Sequence, residues 1–216
     1  MPEERSYPQI GDTLFQGERD LRLNADISVW NNHLSGYAAG YKFAADGIVD
    51  AAIAGNKPFT FYVSNLVFPV VFLYRQYIEL RVKQVILLGS RMKREQHGFP
   101  KHHRIDEIWN HACPYLEGLP GVPHDSLVAL GTCLDEFCKL DPDGMAFRYP
   151  GDRDGKPHLP EWTVINLRHL AETMTRIGHL LDDGTDYLLM DLQHQNEFAN
   201  EKVAQVPLGF SLGSCR

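Results

Sequence analysis

Apolar positions recur at three- and four-residue steps through most of the chain, the spacing that places side chains on one face of an α-helix. Between Asn24 and Gly55, Trp30, Leu34, Tyr37, Tyr41, Ala44, Ala45, Ile48 and Ala52 form one such stripe and predict a first long helix. Gly36, Gly40, Ala44 and Gly47 lie near it. Glycine costs a helix about 1 kcal/mol relative to alanine, so the set predicts a second backbone in close approach. Asn56, Lys57 and Pro58 break the pattern. A second helix is predicted from Ser64 to Gly89, with Pro69 in its first turns, where a missing N–H is tolerated, and Gly89 as its stop.

The same spacing predicts three further helices. Arg104 to Leu119 turns Ile105, Ile108 and Trp109 inward and is ended by Pro120, Gly121 and Pro123; Ser126 to Leu140 carries Leu127, Leu130, Leu134 and Phe137 on one stripe. The segment DPDGMAFRYPGDRDGKPHLP, from Asp141 to Pro160, is dense in Asp, Gly and Pro and predicts a long loop, with a short hairpin around Phe147 and Lys156. Glu161 to Leu181 closes the set with Val164, Leu167, Leu170, Met174, Ile177 and Leu181 at helical steps. Beyond Asp182 the chain is acidic and polar, which predicts a weak helix and a loose tail ending in VPLGFSLGSCR. The expected fold is therefore all-α: an up-and-down bundle of about five helices with a long polar loop before the last core helix. Residues 1–23 form an arm, 24–182 the bundle, and 183–216 the terminal extension.

The second helix carries four charges within its apolar centre, FLYRQYIELRVKQVILLGS. At about 100° per residue, Arg75, Glu79 and Lys83 share one stripe and form four-apart pairs, as a solvated face would. Arg81 falls about 240° round the helix from Arg75, among Val70, Tyr74, Tyr77, Val85 and Leu88. An unpaired buried ion costs several kcal/mol, so Arg81 must snorkel to water, meet a structural counter-ion or contact a ligand phosphate.

Composition narrows the classes. A chain of 216 residues, 44% of them hydrophobic, buries one sizeable core, and a formal charge of −7 argues against a surface wrapped throughout in nucleic acid. A local basic patch remains in the connector RMKREQHGFPKHHR, Arg91 to Arg104, with five Lys or Arg against one Glu. The longest apolar run, Val63 to Tyr74, is far short of the roughly 20 residues that span a bilayer, and the acidic first residues lack an apolar signal core. No membrane association and a cytoplasmic location are expected. Cys113, Cys133, Cys138 and Cys215 are scattered and read as reduced thiols, and Asp191, His194 and Glu197 as a solvated polar face. Neither a metal nor a cofactor is expected. The phosphate-binding, dinucleotide, zinc-protease and serine-hydrolase signatures are absent from the sequence.

Glu79-Leu80-Arg81-Val82-Lys83, followed after the basic connector by His103-Arg104-Ile105-Asp106-Glu107-Ile108, resembles the two-helix signature of the HEPN superfamily, all-α nucleotide-binding and RNase-like domains. The resemblance covers roughly residues 60–182 and implies a homodimer. It also implies metal-independent RNA cleavage, in which a 2′-hydroxyl attacks the adjacent phosphate while an Arg and a His separated by a short gap manage charge and protons. Here Arg148 in FRYP is followed by His158 after a longer gap. Arg91 with His97 and Arg104 with His111 have the shorter spacing but stand in other elements.

The loop places Arg148, Tyr149, Asp152, Arg153, Lys156 and His158 together between bounding prolines, a set suited to an RNA strand or to a solvent-exposed loop cross-linked by Arg and Asp pairs. His103 reads either as a catalytic imidazole or as a helix-capping or core-facing one. The expected catalytic set is Arg148, His158 and His103; Arg75, Arg81, Lys101, Arg104, Tyr149, Arg153 and Lys156 are the expected phosphate- or RNA-binding residues. The implied function is an RNA-directed module, an endoribonuclease, of a prokaryotic defence or toxin–antitoxin system. The alternative is a non-catalytic helical protein that binds a partner nuclease, nucleotidyltransferase or sensor encoded by a neighbouring gene.

Overall fold

The computed structural model describes residues 7, 10, 14–15, 21–30, 33–55, 60–95, 98–159 and 164–204. Residues 1–32 and 33–216 form separate units. In the first, short 3-10 turns occupy Leu21–Leu23 and Ile27–Trp30, the second opened by Asp26, whose Oδ1 accepts from the Ser28 amide and hydroxyl at 2.9 and 2.6 Å. The first long helix therefore does not begin at Asn24: the Asp26 side chain competes for the backbone N–H that a helix would use, and Trp30 stands in the 3-10 turn.

The second unit is all-α. Helices α1 (Leu34–Ala54), α2 (Thr60–Met92), α3 (Ile105–Leu116), α4 (His124–Leu140) and α5 (Leu167–Ala204) carry it, and among the described residues there is no strand. Helix α2 is the axis, packed against α1, α3 and α5, while α4 packs on α3. From Val70 to Ser90 it is buried or half-buried at every position, because neighbours cover it all round. Its apolar side chains join those of α1, α3, α4 and α5 in one core centred on Tyr74, Ile78, Val82, Val85, Ile108, Leu134, Met174 and Leu181.

Several boundaries differ from the periodic reading. Gly89 does not stop α2; it lies inside the helix because the Tyr115 ring packs where a side chain would stand, and a Cβ there would meet Tyr115 Cγ at 2.2 Å. By contrast, among the described residues nothing lies within 4 Å of a Cβ at Gly40 or Gly47, so no described backbone presses on α1 at those two positions. The buried positions of α1 are Ala38, Ala45 and Val49, and Tyr37 faces out. Helix α5 continues unbroken past Asp182, since Thr185 and Leu188 extend its buried stripe. Asn56, Lys57, Pro58, the 206–216 tail and Cys215 lie outside the described residues. Cys113, Cys133 and Cys138 are free thiols.

Polar groups also tie α1 to α2. The Tyr74 hydroxyl donates to Asp46 Oδ1 at 2.7 Å, and Lys42 reaches Asp46 Oδ2 at 2.7 Å. Burial, reinforced by the Asp46 carboxylate, pushes the Tyr74 phenol above its ordinary range. No described helix is long and apolar enough to cross a membrane.

Candidate functional site

The stripe of Arg75, Glu79 and Lys83 is not a wet face. Arg75 is 0% exposed, Glu79 2% and Lys83 6%. Their one-turn spacing stacks them along α2, and the connector before α3 and the loop after α4 close over them. Glu79 Oε1 accepts from Lys83 Nζ at 2.8 Å and from His103 Nδ1 at 2.9 Å, while Glu79 Oε2 faces Arg75 Nη1 at 3.4 Å. Burial alone would raise the Glu79 carboxyl, but the hydrogen bonds from Lys83 and His103 outweigh it and hold it below the ordinary glutamate value. Arg75 Nη2 donates to the His103 carbonyl at 2.7 Å, so Arg75 also fixes the connector's backbone.

On its other side Arg75 holds the loop. Its Nε lies 3.3 Å from Asp141 Oδ2, close enough to pair as charges though not aligned as a hydrogen bond. Asp141 Oδ1 accepts the Ala146 amide at 2.8 Å and so closes the DPDGMA turn. Gly144 makes that turn feasible: its φ is +80°, and a Cβ would stand 2.7 Å from Arg75 Nη1.

His103 is different in kind from the rest of the network. Its side chain is 63% exposed, yet its Nδ1–H is anchored on the buried Glu79 carboxylate, leaving Nε2 toward solvent with no hydrogen bond to a described residue. It is neither a helix cap nor a core imidazole: Arg104 stands at the N-cap of α3, and the ring is outside. A carboxylate that fixes tautomer and orientation of an exposed imidazole is the arrangement general acid–base chemistry requires. Around it, Lys101 is exposed, His102 Nε2 lies 3.4 Å from Glu107, and Arg104, half-exposed, pairs with Asp106 at 3.1 Å and Glu107 at 2.8 Å.

The loop set is not assembled in the same way. Arg148 Nε donates to the Gly144 carbonyl at 2.7 Å, its guanidinium also reaches the Met145 sulfur, and it lies over the Phe72 and Tyr149 rings at 5.6 and 5.9 Å. No hydrogen bond or ion pair links it to His158, whose backbone amide bonds to the Pro150 carbonyl at 3.3 Å. The hairpin forms at an antiparallel bridge between Gly151 and Pro157, away from Phe147, which is buried with Val71 and Ala146. Asp152 spends its carboxylate on the Asp154 and Lys156 amides, both at 2.9 Å, rather than on an arginine. Tyr149, Arg153 and Lys156 are exposed.

Arg75, expected to bind phosphate, is sealed inside and occupied by Glu79, Asp141 and the His103 carbonyl. Arg81 meets a structural counter-ion: its side chain, 12% exposed, pairs with Asp182 of α5 and donates to Gln84 Oε1 at 2.8 Å. Asp141, Gly144 and the role of Glu79 were missed by periodicity. The DPDG turn signal marked Asp141 and Gly144 as loop residues without showing what they hold. Among the described residues no group of three or more His, Cys, Asp or Glu is placed to hold a metal ion.

No protein family, curated protein or solved structure matches the chain.

Proposed function

We propose that this protein is an RNA-directed, metal-independent endoribonuclease in which His103 is the acid–base group. The observation that carries the reading is the exposed His103 imidazole, within the basic connector, anchored through Nδ1 on the buried Glu79 carboxylate at 2.9 Å. His103 Nε2 takes the proton from an RNA 2′-hydroxyl as its oxygen bonds to the adjacent phosphorus. The bond from phosphorus to the 5′-oxygen breaks, that oxygen takes a proton from water, and the hydroxide so formed takes the proton that His103 holds, leaving a 2′,3′-cyclic phosphate, a 5′-hydroxyl and a neutral imidazole. Lys101 and Arg104 supply cations to the phosphate. The resemblance to HEPN domains supports the reaction class, a defence or toxin–antitoxin setting and a homodimer. Arg148 and His158 stand outside the chemistry in this reading.

The test is incubation of the purified protein with total RNA in EDTA. Wild type is expected to cleave, His103→Ala to lose about 10²- to 10⁴-fold in rate, and the Arg148→Ala/His158→Ala double variant to cleave like wild type. Intact RNA with wild type, or full cleavage by His103→Ala, sinks the assignment.

A second reading, a non-catalytic partner-binding protein, is favoured by the apolar side chains α1 and α5 leave outside: Phe43 is 82% exposed and Phe198 65%. Co-purification of a stoichiometric protein partner together with intact RNA would favour it.

A further inference from the structure

We propose that the cavity beside the connector, lined by Ile86, Gly98, Phe99, Pro100, His111 and Tyr115, is a nucleobase-binding subsite that selects which nucleotide is presented to His103. Its volume, about 380 Å³, is within the range of small-ligand pockets. Ile86 forms an apolar floor one turn beyond Lys83 on α2, and three side chains with π-faces, Phe99, His111 and Tyr115, line it. A flat aromatic ligand with a polar edge matches that lining, because any base can stack on a ring while the exposed His111 imidazole meets its edge.

Two of the walls are fixed before any ligand arrives. Tyr115 packs on Gly89 of α2, its hydroxyl donates to Glu95 Oε2 at 2.7 Å and lies 3.2 Å from Ser90 Oγ, and Lys93 sits 4.8 Å from its ring centroid. Phe99 is held by Lys83, whose Nζ stands 5.4 Å from the ring centroid. Neither lysine lines the cavity, so the ligand meets ring surface the ammonium groups leave open. Lys83 also gives the pocket its connection to the chemistry, since the same Nζ donates to the Glu79 oxygen on which His103 is anchored. The pocket wall and the exposed imidazole are thus separated by one lysine and one carboxylate.

This rests on the RNA reading for the identity of the ligand, and binding can be measured where cleavage cannot occur. The probes are the four dinucleotides built on 2′-deoxyribose, which lack the attacking hydroxyl, and an abasic dinucleotide of the same charge. Titration by calorimetry, with the Ile86 methyl and His111 ring followed by NMR, is expected to show tighter binding of at least one base-bearing probe than of the abasic one, with shifts at both residues. Phe99→Leu is expected to weaken that probe about tenfold or more, Phe99→Trp to retain it, and His111→Ala, an exposed change that leaves the core intact, to alter the preference among bases. Equal binding of base-bearing and abasic probes, or wild-type affinity in both Phe99→Leu and His111→Ala, overturns the proposal. Base-dependent binding without RNA cleavage would retain the pocket and remove the nuclease reading. His103-dependent cleavage without base-dependent binding would do the reverse.

Discussion

Arg75 and Arg81 stand six residues apart on one helix and have opposite surroundings. Arg75 has no exposed surface and is held by Glu79, Asp141 and a backbone carbonyl drawn from three segments of chain. Arg81 keeps 12% of its side chain exposed and pairs with an Asp182 side chain that is 48% exposed. The inner arginine organises: through its contacts the connector that carries His103 and the turn that carries Arg148 are fixed to α2. The outer one fastens α5 to α2 through an Asp182 carboxylate that is half-exposed to water. A charge matters structurally according to how many segments share it and how little water can replace them.

The largest expected effect is at the inner site. Arg75→Met leaves Asp141 buried without its cation and should destabilise the protein by about 3–5 kcal/mol in urea unfolding; a loss under 1 kcal/mol would erase the contrast with Arg81. Glu79→Gln should cost about 2–3 kcal/mol, because Lys83 loses its buried acceptor charge.

The same residue sets a pH dependence. Glu79 titrates below its ordinary value of 4.5, so its stabilisation is fully present above that value and is lost as pH falls through the lower folded-state one. Urea midpoints from neutral pH to below 4 should therefore decline more steeply for wild type than for Glu79→Gln. Parallel curves would mean that the carboxylate is not held ionised by Lys83 and His103.

Gly144→Ala should cost about 1–3 kcal/mol, from a positive φ and from crowding of Arg75 Nη1 together. Restored stability in the double variant Gly144→Ala/Arg75→Met relative to the sum of the single changes would identify the crowding part. The smallest effect belongs to the rim: Asp182→Asn, at a carboxylate 48% exposed, should change stability by about 0–1 kcal/mol. A rim loss as large as that of Arg75→Met would show that the pair is shielded from water after all.

Much of the fold was legible because amphipathic periodicity is a local property. The stripe of Leu127, Leu130 and Leu134 announced α4, and Ile105, Ile108 and Trp109 announced α3, with boundaries within a few residues. Local competition displaced the start of α1, where Asp26 captures the Ser28 amide. The end of α5 was misplaced for another reason: its exposed face turns acidic after Leu181 while the buried stripe continues through Thr185 and Leu188. Of the expected site residues, His103 is the exposed imidazole held by a buried carboxylate, Glu79. Arg148 and His158 share a loop in sequence but no hydrogen bond or ion pair, because Arg148 turns back onto the Gly144 carbonyl and the Phe72 ring.

By itself the sequence determined that the chain is helical, where most of its helices run, and that Arg75, Glu79 and Lys83 share one face of α2. Which way that face points was decided by tertiary structure alone. Helical spacing assigns residues a common direction but contains nothing about what packs there, and here the connector and the DPDG turn cover the direction that a two-sided helix would leave to water. The covering converts three ordinary surface charges into the buried support of an exposed histidine, because removing water strengthens the ion pairs and obliges every member to find a partner.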